Sequence, residues 1–290
     1  DSFGFEKLYV NSLALQVFLN NTTEALWGLL TLTYVPNYFD ILPMYIAILL
    51  MMPIIMALSR VHVGLVFAFM GIVWFMGQTR ILQALGMEQF ILGLPASFTN
   101  DRQWFFNPFA WQLVFFTGFA LVRGWIPTPP VNKYLVGFAA VVTLGYMMLS
   151  HVAIREWGFA WAQDWRVANQ MFITKTDIGI IRFSHFIAVA YLAYAVAGDG
   201  GKHLLVQGKT AASRVARFFV TILTKVGQQS LAVFIVSMML SIFVGFILDL
   251  TGDGHLPVAL VNLLGWAFLV GIAYTAGWFK SQPWRKSATG

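Results

Sequence analysis

Seven predominantly apolar runs of sixteen or more residues punctuate the chain, at approximately 41–58, 61–76, 105–122, 134–154, 178–197, 230–248 and 257–278. An α-helix rises 1.5 Å per residue, so about 20 such residues cross the hydrocarbon core of a bilayer. The segments between them are polar and rich in Gly and Pro, and GWIPTPPVNKY, with Pro127, Pro129 and Pro130, forbids a helix running from the third run into the fourth. The pattern predicts an all-α integral membrane protein, a bundle of about seven transmembrane helices with interfacial helices beside it. A single membrane domain over 1–290 is expected, with an extracytoplasmic segment at 1–38, the bundle at 39–280 and a cytoplasmic tail at 281–290.

Composition agrees: 59% of the residues are hydrophobic and 10% charged, where a soluble surface needs about a quarter charged. The net charge of +6 does not point to nucleic acid, because Lys and Arg of a membrane protein gather in its cytoplasmic loops. One set of alternate loops holds eleven basic residues: Arg60, Arg123, Lys133, Lys202, Lys209, Arg214, Arg217, Lys225, Lys280, Arg285 and Lys286. The other holds six, Lys7, Arg80, Arg102, Arg155, Arg166 and Lys175. The first set is therefore expected inside, with the C-terminus cytoplasmic and residue 1 extracytoplasmic. The opening residues show neither a basic n-region nor a cleavage site, and an outside Asp1 leads us to expect an odd number of further spans upstream. With no Cys, thiolate nucleophiles and thiolate metal sites are excluded, and no HxxxH or HExxH spacing offers a metal site.

Three connecting segments carry additional patterns. In 78–103 the apolar residues Ile81, Leu82, Leu85, Phe90, Ile91 and Leu94 predict a helix in the interface or a re-entrant turn. Trp157, Trp161 and Trp165 recur every four residues, predicting one helical face. Such a face serves as a headgroup-level anchor or as a ridge on which a carbohydrate stacks. In 198–227, Val215, Phe218, Phe219, Ile222 and Leu223 predict an amphipathic helix. Its Lys209, Arg214 and Arg217 suit lipid headgroups, or the phosphates of a cytoplasmic donor such as coenzyme A.

Ionisable groups at the ends of apolar runs are costly to insert and are candidate sites by default. Asp40, preceded by Asn37, opens the first run. Arg182 and His185 lie three residues apart near the start of the fifth, with Lys175 and Asp177 just before. Together they suit hydroxyl chemistry: His removes a proton, a carboxylate orients it, and Arg holds an anionic group or developing oxyanion. An ion pair of Asp40 with Arg182 or Lys175 that merely neutralises charge is the alternative. Asn107 and Gln112, in WFFNPFAWQ, read as a helix cap and an interhelical hydrogen bond.

The blocks YVPNYFDILPMY, WFFNPFAWQLVFFTGFAL, KTDIGIIRFSHFIAVAYLA and VGQQSLAVFIVSM resemble successive blocks of the OpgC family, membrane succinyltransferases of osmoregulated periplasmic glucans. The resemblance runs from about Tyr34 to Lys280. It implies a bacterial inner-membrane O-acyltransferase of about ten spans that moves an acyl group from acyl-CoA, commonly succinyl-CoA, to a glucan hydroxyl. Asp40, Arg182 and His185 would then be catalytic, Lys175, Asn37, Trp157, Trp161 and Trp165 would bind the acceptor, and Lys209, Arg214 and Arg217 the donor. Membrane lipids and the glucan are the implied partners, and no metal is expected. The family's N-terminal spans, with an Asp, an Arg-Gly pair and a His, have no counterpart here, so three spans and the usual base are expected upstream. A non-catalytic scaffold or accessory subunit, packing against other membrane protein subunits, is the competing class.

Overall fold

The computed structural model describes residues 9–205, 208, 210–252 and 254–282. Among these the chain is helical, apart from connecting segments and one isolated antiparallel bridge between Pro95 and Gln103. All seven apolar runs are helical. Helix α1 covers Ile41–Val61, as two stretches meeting at Met51, where Pro53 removes a backbone donor. It is followed by α2 (Val63–Met76), α3 (Pro108–Val122), α4 (Lys133–Met148) and α5 (Ile180–Ala197). Then come α6 (Ala211–Gln228), α7 (Ser230–Thr251) and α8 (His255–Ser281). Four of these, α1, α5, α7 and α8, are long and apolar enough to cross a membrane; α2, α3 and α4 are shorter apolar helices. The fourth run does not stay one helix, since α4 ends at Met148 and Ser150 caps a new short helix, His151–Glu156, by accepting from the Ala153 amide at 3.1 Å.

The described residues fall into two compact units, divided after Val196. In the first, α1, α2 and α3 pack on one another. Their core holds Met44, Ile48, Met51 and Ile55 from α1, Val66 and Met70 from α2 and Phe116 from α3, roofed by Val35 and Trp104. The ends of α2 and α3 come so close at Gly77 that a side chain there would meet the backbone of Ala110. Inside the trio Gln112, fully buried, donates from Nε2 to the Met70 carbonyl at 2.8 Å, the interhelical bond expected of it. In the second unit α6, α7 and α8 pack together, with Lys225 of α6 over the Tyr274 ring of α8 at 5.8 Å.

Little of the apolar surface turns inward. Of the most hydrophobic 18 residues in each long helix, 22% are buried in α1, 6% in α5, 0% in α7 and 6% in α8. Apolar area of that extent is stable only against hydrocarbon. Packing inside the first trio is protein-like nonetheless, and Gln112 tests which contact matters there. Its Oε1 has no partner, so Gln112→Met loses one hydrogen bond and one orphaned acceptor together. We expect it to change stability by less than about 1 kcal/mol, while Gln112→Ala, which opens a cavity, costs about 2–3 kcal/mol in denaturant unfolding of the detergent-solubilised protein.

Candidate functional site

The site is built around the loop 174–179, which leads into α5; Thr174 O accepts from the Gly179 amide and Gly179 O from the Phe183 amide, while the four carbonyls between them take donors from outside the loop. The donors are the side chains of Trp74 on α2, Gln78 just beyond it and Trp111 on α3, with the backbone N–H of Asn107. The Trp111 indole N–H is shared between the carbonyls of Lys175 at 3.0 Å and Thr176 at 3.1 Å. The Asn107 amide donates to Thr176 O at 3.0 Å, Gln78 Nε2 to Asp177 O at 2.5 Å, and the Trp74 indole to Ile178 O at 3.1 Å. Asn107 caps α3 as its sequence suggests, accepting from the Phe109 amide at 3.1 Å, and its Nδ2 reaches Gly77 O, Leu92 O and Asp177 Oδ1 at 3.2, 2.8 and 3.5 Å. So held, the loop carries Lys175 to an aromatic shelf, its Nζ 5.2 Å from both the Phe105 and Phe106 rings.

Asp40 lies beside the same shelf. It occupies the N-cap position of α1 yet makes no capping bond, and it is only 5% exposed. Burial pushes its carboxyl above the usual carboxylate range, outweighing the Phe105 amide, its own amide, the Arg102 guanidinium and the Tyr38 amide, which draw it down. Arg102, not flagged as a site residue by the sequence, is the cation facing Asp40. Its Nη1 donates to Asn37 Oδ1, and its Nη2 to the carbonyls of Val35 at 2.5 Å and Ala96 at 2.8 Å. Asn37 is held in turn through Nδ2 to Ser12 O at 2.9 Å. Between Asn37 and Asp40 stands Tyr38 with φ of +70°, strained backbone for a residue with a Cβ. The turn survives because Val35 and Asn37 are anchored on the carbonyls of Ala96 and Leu13.

Arg182 and His185 share a face of α5 as their spacing requires, but they form a separate group. The His185 ring stacks on Tyr146 of α4 at 4.3 Å and 19°, and the Arg182 guanidinium lies 5.8 Å from the same ring while Nε and Nη2 donate to Ile173 O. Among the described residues, no hydrogen bond or ion pair joins Asp40 to Arg182, His185 or Lys175; the sole ion pair is Arg155 with Glu156 at 2.8 Å. Tyr146 is a second residue the sequence does not flag, an aromatic in an apolar run that only the fold reveals as the partner of both α5 side chains.

A family model described as OpgC protein matches residues 1–281. The chain belongs to the OpgC family. No curated protein and no solved structure matches it. Family membership points to acyltransferase-type chemistry on a glucan, and it covers both compact units of this OpgC-family chain. The proposed binding residues fare differently from their expected pattern. Trp157, Trp161 and Trp165 do not share one helical face: Gly158, with φ of +70°, breaks the chain after His151–Glu156, so Trp157 ends that helix while Trp161 and Trp165 lie on Ala160–Ala168. Phe159 instead bridges Trp157 and Trp161, with ring centroids 6.0 and 6.2 Å away. Of the basic set on the second unit, Arg214 and Arg217 are exposed on α6, Arg217 donating to Gly208 O at 2.6 Å, and Lys209 lies outside the described residues. The segment 78–103 is no single interfacial helix but a short helix, Thr79–Ala84, one 3-10 turn at Glu88–Phe90, and then extended chain.

Asp177, 4% exposed, is the other buried acid of the site. Burial raises its pKa against the lowering effects of Asn107, Thr79 and Arg80. A carboxyl whose pKa is higher folded than unfolded binds its proton more tightly in the native state, so the stability it adds is complete below the unfolded value and is lost as pH rises through the folded one. Asp177→Asn, which keeps an oxygen for Asn107, is expected to unfold at a higher temperature than the parent at neutral pH and to show a smaller loss of stability between pH 4 and 7, read from thermal midpoints across that range.

Proposed function

We propose that the chain is an integral-membrane O-acyltransferase that moves an acyl group, succinyl in the first instance, from acyl-CoA to a hydroxyl of a periplasmic glucan. In this reading all seven apolar helices cross the bacterial inner membrane, the C-terminus is cytoplasmic and the Asp40 end is extracytoplasmic. The observation that carries it is a buried carboxyl with no ion-pair contact among the described residues, at the mouth of α1, in a chain of the OpgC family. Burial makes Asp40 a stronger base than an ordinary carboxylate, the property needed to take a proton from a sugar hydroxyl at near-neutral pH.

The step is a thioester-to-ester exchange. The hydroxyl oxygen bonds to the acyl carbon, the carbon–sulfur bond breaks, the hydroxyl proton passes to Asp40, and the thiolate leaves and takes up a proton. Arg102 keeps the ionised Asp40 tolerable without bonding to it directly, and Asn37 fixes that guanidinium. Lys175, exposed on the Phe105–Phe106 shelf, offers its ammonium to the free carboxylate of a succinyl group. Arg182 and His185, grouped on Tyr146, form a second polar station for charge that develops on the acyl oxygen. Arg214 and Arg217, with Lys209, draw the phosphates of the donor to α6 from the cytoplasmic face.

Transfer of labelled acyl groups from acyl-CoA to glucan in membrane vesicles tests this. Asp40→Asn should lower transfer by roughly 10²–10⁴-fold and remove an acidic limb of the rate profile that lies above the ordinary carboxylate range. Lys175→Met should weaken succinyl transfer by about tenfold, the scale of one charge-assisted hydrogen bond, and acetyl transfer much less. Transfer undiminished in Asp40→Asn, or equal losses of succinyl and acetyl transfer in Lys175→Met, would refute the assigned roles.

A further inference from the structure

The loop between Gly93 and Gln103 lines an open cavity of about 530 Å³, within the 300–1,000 Å³ common for small-ligand sites. Its frame is rigid. Pro95 and Gln103 form the antiparallel bridge, Ala96 N donates to Arg102 O at 2.6 Å, and the buried Trp104 donates from its indole to Pro95 O at 2.9 Å. Ser97 and Thr99 hydroxyls bond each other at 2.9 Å, and the Arg102 amide bonds Asn100 Oδ1 at 3.1 Å, so the turn at the tip is internally braced.

The lining selects a chemical class. An anion would seek Arg102, but that guanidinium already donates to Asn37, Val35 and Ala96. A cation would meet one carboxylate, Asp101, with amides and hydroxyls around it, and no group of three or more His, Asp or Glu able to hold a metal ion occurs among the described residues. An apolar ligand would bury the side chains of Asp101 and Gln103, for which no hydrogen bond occurs among the described residues, and the Asn100 amide, whose Oδ1 alone is engaged, by the Arg102 amide. What these groups match is an uncharged molecule with many hydroxyls, each both donor and acceptor. Phe98, 40% exposed, adds an aromatic ring at the lining, set edge-on against the fully buried Tyr34 at 6.0 Å. A pyranose presents C–H faces to such a ring and hydroxyls to the amides and carboxylate.

We infer that the 93–103 cavity is a neutral-saccharide subsite, with Phe98 as its stacking platform and Asn100, Asp101 and Gln103 as its hydroxyl readers. Arg102 forms part of its wall and also faces Asp40, so saccharide binding and the proton acceptor share one guanidinium. For its role this subsite rests on the acyl-transfer reading, where it holds the acceptor; its binding test does not.

The experiment is saturation-transfer NMR and calorimetry on the full chain in detergent, with neutral gluco-oligosaccharides of six residues as the probe. Binding is expected in the parent and in Trp266→Leu, a change at an exposed indole of α8, and it should weaken at least tenfold in Phe98→Ala and in Asn100→Ala/Asp101→Ala. Phe98→Tyr should restore it, which separates loss of the platform from loss of the fold. No binding in the parent, affinity unchanged by the loop variants, loss in Trp266→Leu as large as in Phe98→Ala, or preference for a uronate oligosaccharide would each overturn the inference. Saccharide binding that follows this pattern in a chain without acyl transfer would sustain the subsite and defeat the transferase reading.

Discussion

The approach to α5 and the placement of Lys175 depend on the capture of four successive backbone carbonyls, Lys175 to Ile178, by the side chains of Trp74 on α2, Gln78 just beyond it and Trp111 on α3. A loop in a membrane protein cannot leave those oxygens bare, and water is scarce near the hydrocarbon. Two indoles and two amides discharge the debt and in doing so fix both the approach to α5 and the position of Lys175. Asn107 is the hinge of this arrangement because one residue starts α3, closes on Gly77 and Leu92, and reaches Asp177. Loss of its side-chain amide would orphan the carbonyls of Gly77 and Leu92, each worth about 1–3 kcal/mol when buried, and withdraw a donor from the Asp177 carboxyl.

The electrostatics follow from the same scarcity of water. Asp40 and Asp177 are both nearly buried and neither has a contact ion pair among the described residues, so burial dominates and both carboxyls hold their protons more firmly than usual. Arg102 could have neutralised Asp40 directly, yet it spends its donors on Asn37 and two carbonyls. The charge is near enough to be felt and too well held to be surrendered, an arrangement that leaves a carboxyl responsive to a substrate.

Local features were legible in the sequence, and partnerships across long separations were not. The seven apolar runs are helices because hydrophobicity of that length leaves few alternatives, and Asn107 and Gln112 did as a cap and an interhelical amide should. The Trp ridge failed for a local reason that was in view: Gly158 stands between the first two indoles, and a four-residue period says nothing if the helix breaks inside it. Nothing local, by contrast, announces that Asp40 faces Arg102 from 62 positions away, or that Tyr146 receives both Arg182 and His185. Those meetings are set by how α1 to α5 pack, and an apolar run looks alike whether or not its one phenol meets an imidazole.

Helix length carries a last consequence. At 27 residues α8 is about 40 Å long, whereas α2, with 14, is about 21 Å. A hydrocarbon core of about 30 Å is too thin for the one and too thick for the other. In the proposed topology, where both helices cross the bilayer, tilt would relieve the excess in α8 and local thinning of the bilayer the deficit around α2. In that topology acyl-chain length in the surrounding lipid is a mechanical variable for the helix that leads, through Gly77 and Gln78, to the captured carbonyls of the site.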